Sequence, residues 1–196
     1  LVCQDWGGPI GLSVLAALPE RFDAVVASNT VLPNCEPAPA SVAPWPGDAI
    51  RDWVQMTASA RDLPVSDIVN GVCSKPLSES VKAGYDAPFP DASYKAAALQ
   101  FPSLIPLDPS FPGCAENRLT WEFLESWEKP FVTAFSDGDP STRDWAEVFR
   151  RRIPGAARCA HPVIADAGHF VQEEQGAALA AVILELMRGD AQAVNR

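Results

Sequence analysis

The sequence predicts an α/β protein: a doubly wound, mostly parallel sheet interrupted by a helical insert. Three observations carry this. The first thirty residues alternate strand, turn, helix and strand. Regular strand–helix alternation resumes near residue 113. Between them the prolines cluster and the periodicity becomes patchy. At 196 residues the chain has the length of about one domain, and it can bury a sizeable core.

Leu1–Gln4 reads as strand, and Gly7-Gly8 as the turn into a helix with Leu12, Leu15 and Leu18 at helical spacing. Pro19 stops that helix. Ala24–Ser28 (AVVAS) is a short apolar run of the kind buried on both faces of a parallel sheet. From Val31 to Pro112 the prolines 33, 37, 39, 44 and 46 introduce an irregular segment. Short helices are expected there over Asp48–Ala60, Pro64–Val72 and Leu77–Tyr85. Glu116–Trp127 then reads as a helix with Leu119, Phe123 and Leu124 on its apolar side. Pro130–Phe135 (PFVTAF) is a strand, and Thr142–Arg152 a helix ended by Pro154. Cys159–Ile164 is a short strand near a sheet edge, and Gln175–Arg188 the last amphipathic helix. The domain division that follows is 1–34 and 113–196 for the main α/β domain, with 35–112 as a helical cap.

Fifteen basic against 25 acidic residues leave a net charge of −10, which disfavours a nucleic-acid partner because phosphates are repelled. No apolar run is long enough to span a membrane. The five cysteines (3, 35, 73, 114 and 159) are widely spaced and form no CxxC pair, so no zinc or redox motif is read. They are expected as free thiols in a reducing, cytoplasmic compartment. The opening LVCQDWGG, without an initiator methionine, reads as a chain that begins inside a strand, and hence as a fragment lacking N-terminal strands.

The chemistry-bearing residues sit at the carboxyl ends of the expected strands. Asp5 ends the first strand and is followed by Trp6, Gly7 and Gly8. A side chain there stands on a sharp strand-to-helix turn, with the unpaired N–H groups of the next helix aimed at it. This is the layout of a nucleophile elbow, with aspartate where serine usually stands. An aspartate in an ordinary βα turn is the competing reading. His169 lies in ADAGHF, after the last expected strand, whereas His161 falls inside that strand. The acid that would orient His169 belongs after PFVTAF, where Ser136-Asp137-Gly138-Asp139-Pro140 offers two carboxylates. Asp139 is favoured because the following helix start would fix it, and Asp137 is the alternative. Trp6 offers a backbone N–H to an oxyanion and an indole N–H that only donates. Trp53, in the insert, offers a second indole donor, and two such donors would suit a halide ion. Trp45, Trp121, Trp127 and Trp145 read as packing residues, and Phe89, set among prolines, as a lining or anchoring aromatic.

Taken together, QDWGG, NTVLP, DAPFPD, AFSDGDPST and ADAGHF resemble the haloalkane dehalogenases of the α/β-hydrolase superfamily, in order and over essentially the whole chain. The resemblance implies a catalytic triad of Asp5 as nucleophile, His169 as base and Asp139 as acid. It also implies Trp6 and Trp53 as halide-binding residues and the Trp6 backbone N–H as an oxyanion donor. One subfamily carries its acid as a glutamate after the strand following the elbow. That position here is Asn29, so the resemblance is to the subfamily with the later aspartate and the cap tryptophan. The implied reaction converts a halogenated hydrocarbon and water to a primary alcohol, a halide ion and a proton through an alkyl-aspartate ester. It needs no cofactor and no metal. The family's N-terminal half, with the loop that supplies a second oxyanion donor, has no counterpart in these residues, so the fragment alone is expected to be nearly inactive. An epoxide hydrolase of the same fold is the alternative, with Tyr85 and Tyr94 as its activating hydroxyl pair. A non-catalytic binding protein of the same fold is the more distant one.

Overall fold

The computed structural model describes residues 1–35 and 47–189. Among the described residues three parallel strands form the sheet in the order β1 (Val2–Asp5), β2 (Val25–Thr30) and β3 (Phe131–Thr133). The register pairs Val2 with Val26 and Cys3 with Ala27, and Val26 with Val132 on the other side. Helix α1 (Gly7–Ala17) connects β1 to β2, and the turn Pro19–Arg21 closes that βαβ unit. The insert follows as α2 (Asp48–Ser59), α3 (Val65–Gly71), α4 (Glu79–Asp86) and α5 (Ala96–Gln100), with 3-10 turns at Ala92–Lys95 and Phe101–Leu104. The chain returns through α6 (Gly113–Leu124), then β3, α7 (Trp145–Arg152), the short α8 (Val171–Glu174) and α9 (Gly176–Arg188). Trp45 and the prolines 37, 39, 44 and 46 lie outside the described residues.

Strand alternation builds two cores, one on each sheet face. Val25, Ala27 and Phe131 point to one side, where Leu12, Leu15, Trp121, Leu124 and Phe149 cover them. Val26 and Val132 point to the other, beneath Val171, Leu179 and Val182. Burying side chains of this size stabilises by roughly 1.5–3 kcal/mol each. Two-sided burial explains why AVVAS is continuously apolar and not alternating.

Four expectations change. The segment Cys159–Ile164 is not a strand; it carries only isolated bridge residues at Cys159 and Ile164, the latter paired in parallel with Ser136. Pro162 has no N–H to give a ladder. The Thr133 N–H donates instead to His161 Nδ1 (3.1 Å), while His161 Nε2–H donates to the Ala156 carbonyl. An imidazole thus occupies the place a strand would take. Leu119 is 65% exposed and not on the buried side of its helix. The buried face of α6 is instead Cys114, Asn117, Thr120, Trp121 and Leu124. It is fixed by Asn117 donating to the Pro33 carbonyl and the Trp121 indole donating to the Leu32 carbonyl. Helix α7 starts at Trp145, three residues later than expected, because Ser141 and Thr142 fold back onto Asp139.

The fourth change concerns the thiols. Cys35 and Cys114 form a disulfide, leaving Cys3, Cys73 and Cys159 free. The two paired residues flank the insert, where the chain leaves the sheet domain and where it comes back. A separation of 79 residues hid the pairing from any local motif. The argument for a reducing compartment rested on five free thiols and loses that basis. A cross-link closing a loop of this length is expected to stabilise by about 4 kcal/mol through the unfolded state. Urea unfolding with and without dithiothreitol measures it, and an unchanged midpoint would show that the bond contributes nothing.

Candidate active site

The site grows out of the end of β1. Asp5 has φ of 50°, a left-handed conformation that costs an aspartate about 1–3 kcal/mol. The Thr30 hydroxyl donates to its carbonyl and holds the turn. Of the two glycines, only Gly8 is forced by space. A Cβ there would fall 1.9 Å from the Thr30 hydroxyl oxygen, whereas at Gly7 it would make an ordinary contact. Trp6 is the N-cap residue of α1, so its peptide N–H belongs to the first-turn donors that have no acceptor in the helix.

The register slips at this point. Asp5 pairs with Thr30 while Gln4 pairs with Ser28, so Asn29 is an extra residue, with φ of 38°. Its buried side chain is the hub that sequence reasoning missed. The amide nitrogen donates to the Ser136 hydroxyl (2.8 Å) and to the Gly168 and His169 carbonyls (2.9 Å each). The amide oxygen accepts from the Ser136 N–H (2.8 Å). Ser136 donates in turn to the Gly168 carbonyl, and Gln4 to the His169 carbonyl. Asn29 is visible in the sequence only as the residue standing where a glutamate was sought. Nothing local announces that its amide holds the histidine loop.

His169 lies between two carboxylates. Its Nδ1 is 3.0 Å from Asp139 Oδ2 and its Nε2 is 3.3 Å from Asp5 Oδ1. Asp139 is 1% exposed. Its Oδ1 accepts from the Ser141 N–H (2.9 Å) and hydroxyl (2.7 Å), and its Oδ2 from the Thr142 hydroxyl and His169 Nδ1–H. Burial by itself would raise the Asp139 pKa, but the imidazole, the Thr142 hydroxyl and the Ser141 amide outweigh it. The carboxyl therefore stays ionised well below the usual range. Burial by itself would lower the His169 pKa; hydrogen bonding and charge from Asp139 and Asp5 outweigh it and hold it at about 9. With Asp5 ionised, the imidazole is therefore charged near neutral pH. Asp137, the alternative acid, is exposed and lies 3.5 Å from the Ala167 N–H, away from the imidazole.

The Trp6 indole packs edge-on against Phe101 (5.2 Å between ring centroids). Helix α2, which carries the half-buried Trp53, packs on the same Phe101–Leu104 turn. The two tryptophans thus share a neighbour. Phe89 is half-buried beyond the end of α4. Trp121 is buried and stacked on Phe149, Trp145 packs against the same ring, and Trp127 is buried. The Tyr85 hydroxyl donates to Glu173 (2.8 Å), and Tyr94 is 61% exposed. Among the described residues no cluster of three or more His, Cys, Asp or Glu could hold a metal, and no helix is long and apolar enough to cross a membrane.

A parallel sheet covered by helices on both faces, with a strained aspartate on a strand-to-helix elbow and the histidine and buried acid on later carboxyl-edge loops, defines the α/β-hydrolase class. No family model matches the chain. It is 40% identical over 187 residues to a haloalkane dehalogenase of Psychrobacter cryohalolentis, covering 95% of this chain and 59% of that protein. It is 39% identical over 184 residues to one of Mycolicibacterium paratuberculosis, covering 94% and 58%. The solved structure of a haloalkane dehalogenase from Paraglaciecola agarilytica matches with a TM-score of 0.76 at 28% identity, over 95% of this chain and 59% of that one. One from Bradyrhizobium elkani matches with a TM-score of 0.77 at 19% identity, over 97% and 67%, a likeness of fold. The chain is a homologue of the haloalkane dehalogenases over nearly its whole length and shares their α/β-hydrolase fold. It spans about three fifths of the length of the curated relatives it matches.

Proposed function

We propose that the full-length protein hydrolyses the carbon–halogen bond of small haloalkanes, with Asp5, His169 and Asp139 as its catalytic residues. The observation that carries this reading is the imidazole held between an elbow aspartate at 3.3 Å and a buried aspartate at 3.0 Å. An alkyl carbon has no carbonyl to add to, so the first step needs an anionic nucleophile. The Asp5 carboxylate attacks the carbon in line, the carbon–halogen bond breaks, and the halide leaves with the electron pair. The indole N–H groups of Trp6 and Trp53 would stabilise the growing charge, to most effect in a dry pocket. The product is an alkyl ester of Asp5, which does have a carbonyl carbon for water to attack.

Alkylation also readies the base. It removes the Asp5 charge, one of the two that keep the His169 pKa at about 9. The imidazole then faces Asp139 alone, its pKa falls, and it releases its proton to solvent, which is the proton the overall reaction yields, and can then accept one from water. The hydroxide attacks the ester, the Trp6 N–H helps hold the oxyanion, and Asp139 stabilises the imidazolium. The alcohol leaves and the Asp5 carboxylate is restored. The insert 35–112 serves as the cap over this pocket, between main-domain segments 1–34 and 113–196.

Epoxide hydrolysis would need two tyrosine hydroxyls turned toward the substrate. The commitment of Tyr85 to Glu173 and the exposure of Tyr94 weigh against it. The test is bromide release, with acidification, from 1,2-dibromoethane or 1-bromobutane by the full-length protein. Release supports the proposal; turnover of styrene oxide without any halide release would replace it with the epoxide reading.

A further inference from the structure

The backbone groups of Gly168 and His169 are anchored in an unequal way. The carbonyls of Gly168 and His169 go to sheet-domain groups, namely Asn29, Ser136 and Gln4. The two N–H groups go elsewhere. The His169 N–H donates to the Val72 carbonyl (2.8 Å), at the end of α3 in the insert. The Gly168 N–H donates to Glu174 Oε2 (2.6 Å). That same oxygen accepts from the Ser74 N–H (3.0 Å), and Glu174 Oε1 accepts from the Lys75 N–H (2.9 Å). One carboxylate therefore ties the insert's 72–75 turn to the histidine loop.

The contact is backbone on backbone. A Cβ on Gly168 would sit 2.2 Å from the Val72 carbonyl oxygen and 3.0 Å from Cys73 Cα, so only glycine lets the turn seat there. The turn also covers the acid loop. A Cβ on Gly138, next to Asp139, would lie 2.8 Å from the Ser74 hydroxyl. A neighbouring pair reinforces the seam: Tyr85 donates to Glu173, and its ring packs against Phe170. The titratable residues at this seam are Glu173, Tyr85, Cys73, whose thiol is pushed up by burial and in part by the Glu174 and Glu173 charges, and Lys75, which meets Glu174 through its backbone N–H. The carboxylate is held by three backbone N–H groups.

We infer that Glu174 is a positioning residue: it couples the seating of the 72–75 turn to the orientation of His169, so that the second step of the reaction depends on the insert being docked. The inference rests on the dehalogenase reading for its kinetic consequence, but not for its geometry. The bond to Glu174 fixes the Ala167–Gly168 peptide and the Val72 carbonyl fixes the Gly168–His169 peptide that follows, so a shift at Glu174 is carried to His169 and moves the imidazole relative to both Asp139 and Asp5. Displacement of a reacting group by as little as 1 Å can cost about 100-fold in rate. The step exposed to this is ester hydrolysis, in which the imidazole handles the proton. Alkylation by Asp5 uses no proton from His169.

The experiment compares the full-length protein with Glu174→Ala and Glu174→Gln. Rapid-quench kinetics with 1-bromobutane separate alkylation from hydrolysis of the alkyl-enzyme. Glu174→Ala is expected to slow hydrolysis about 10- to 100-fold while alkylation changes by less than about twofold. Glu174→Gln keeps an oxygen for Gly168 and Ser74 but turns an NH2 toward the Lys75 N–H, so it should fall between the two. Histidine proton NMR, read without haloalkane, gives the second measurement. The His169 midpoint should move down toward 6.5 in Glu174→Ala as the ring loosens from its carboxylates, with His161 unchanged as the internal reference. Hydrolysis within twofold of wild type in a folded Glu174→Ala protein, with an unmoved His169 midpoint, overturns the inference. So does an equal loss in both steps accompanied only by a lower Tm. If Glu174→Ala does not fold, Glu174→Gln carries the same two readouts. If wild type forms no alkyl-enzyme at all, the dehalogenase reading falls, and the NMR midpoint alone decides the positioning role.

Discussion

Asp5→Asn in the full-length protein is expected to lower halide release from 1,2-dibromoethane by roughly 10⁴-fold or more. The substitution keeps the size and hydrogen-bonding shape of the side chain but removes the anion that attacks carbon. The strained elbow should survive, because asparagine tolerates the left-handed region at least as well as aspartate does. A second consequence separates loss of the nucleophile from collapse of the site. In the variant the imidazole keeps Asp139 at 3.0 Å but loses the charge of Asp5. The His169 pKa, held at about 9 by both carboxylates against burial, should then fall toward the ordinary value. Ion-selective detection of bromide and a histidine NMR titration read the two effects. Turnover within a few-fold of wild type would remove Asp5 from the nucleophile's role.

His169→Gln should act on the other half of the cycle. Alkylation needs the Asp5 carboxylate and an exit for halide, and neither is supplied by the imidazole proton. Ester hydrolysis needs a base, which glutamine is not. With 1-bromobutane, one bromide per protein molecule should be released in a burst, after which the butyl ester of Asp5 accumulates. Intact-mass and peptide mass spectrometry would find the alkyl group on the peptide containing Asp5. A variant that releases halide in the steady state at near wild-type rate, or that carries no adduct after the burst, would show that His169 is not the base for hydrolysis. Overall turnover is expected to fall by roughly 10³-fold or more.

Much of the fold was legible because it rests on local patterns. The helical spacing of Leu12 and Leu15, and the continuously apolar AVVAS run, follow from burial on one helix face and on two sheet faces. Helices α2, α3 and α4 were placed to within a few residues, since each is bounded by prolines or polar turns. Leu119 misled because an apolar residue at helical spacing says only that a face exists. Asn117 and Trp121 chose the buried face through bonds to the carbonyls of Pro33 and Leu32, more than eighty positions away. The segment around Pro162 misled for a related reason. Its apolar residues suited a strand, but a proline and an imidazole decided how Thr133 was satisfied.

The residues proposed for chemistry were legible by type and order: an aspartate on a Gly-flanked elbow, an aspartate after a later strand, and a histidine after that. Choosing Asp139 over Asp137 was a local argument, and the buried Asp139 is the one that meets the imidazole. What the sequence by itself determined is the α/β architecture, the place of the insert, and which side chains stand at the carboxyl edge of the sheet. These depend on periodicity and turn chemistry within a dozen residues. What only the tertiary structure decided is how those side chains are held. The Asn29 hub, the Glu174 clamp and the Cys35–Cys114 bond each join groups from about 79 to 140 positions apart in the chain. A hydrogen bond or disulfide depends on where atoms meet in space, and distant segments of a chain carry no periodic trace of the meeting.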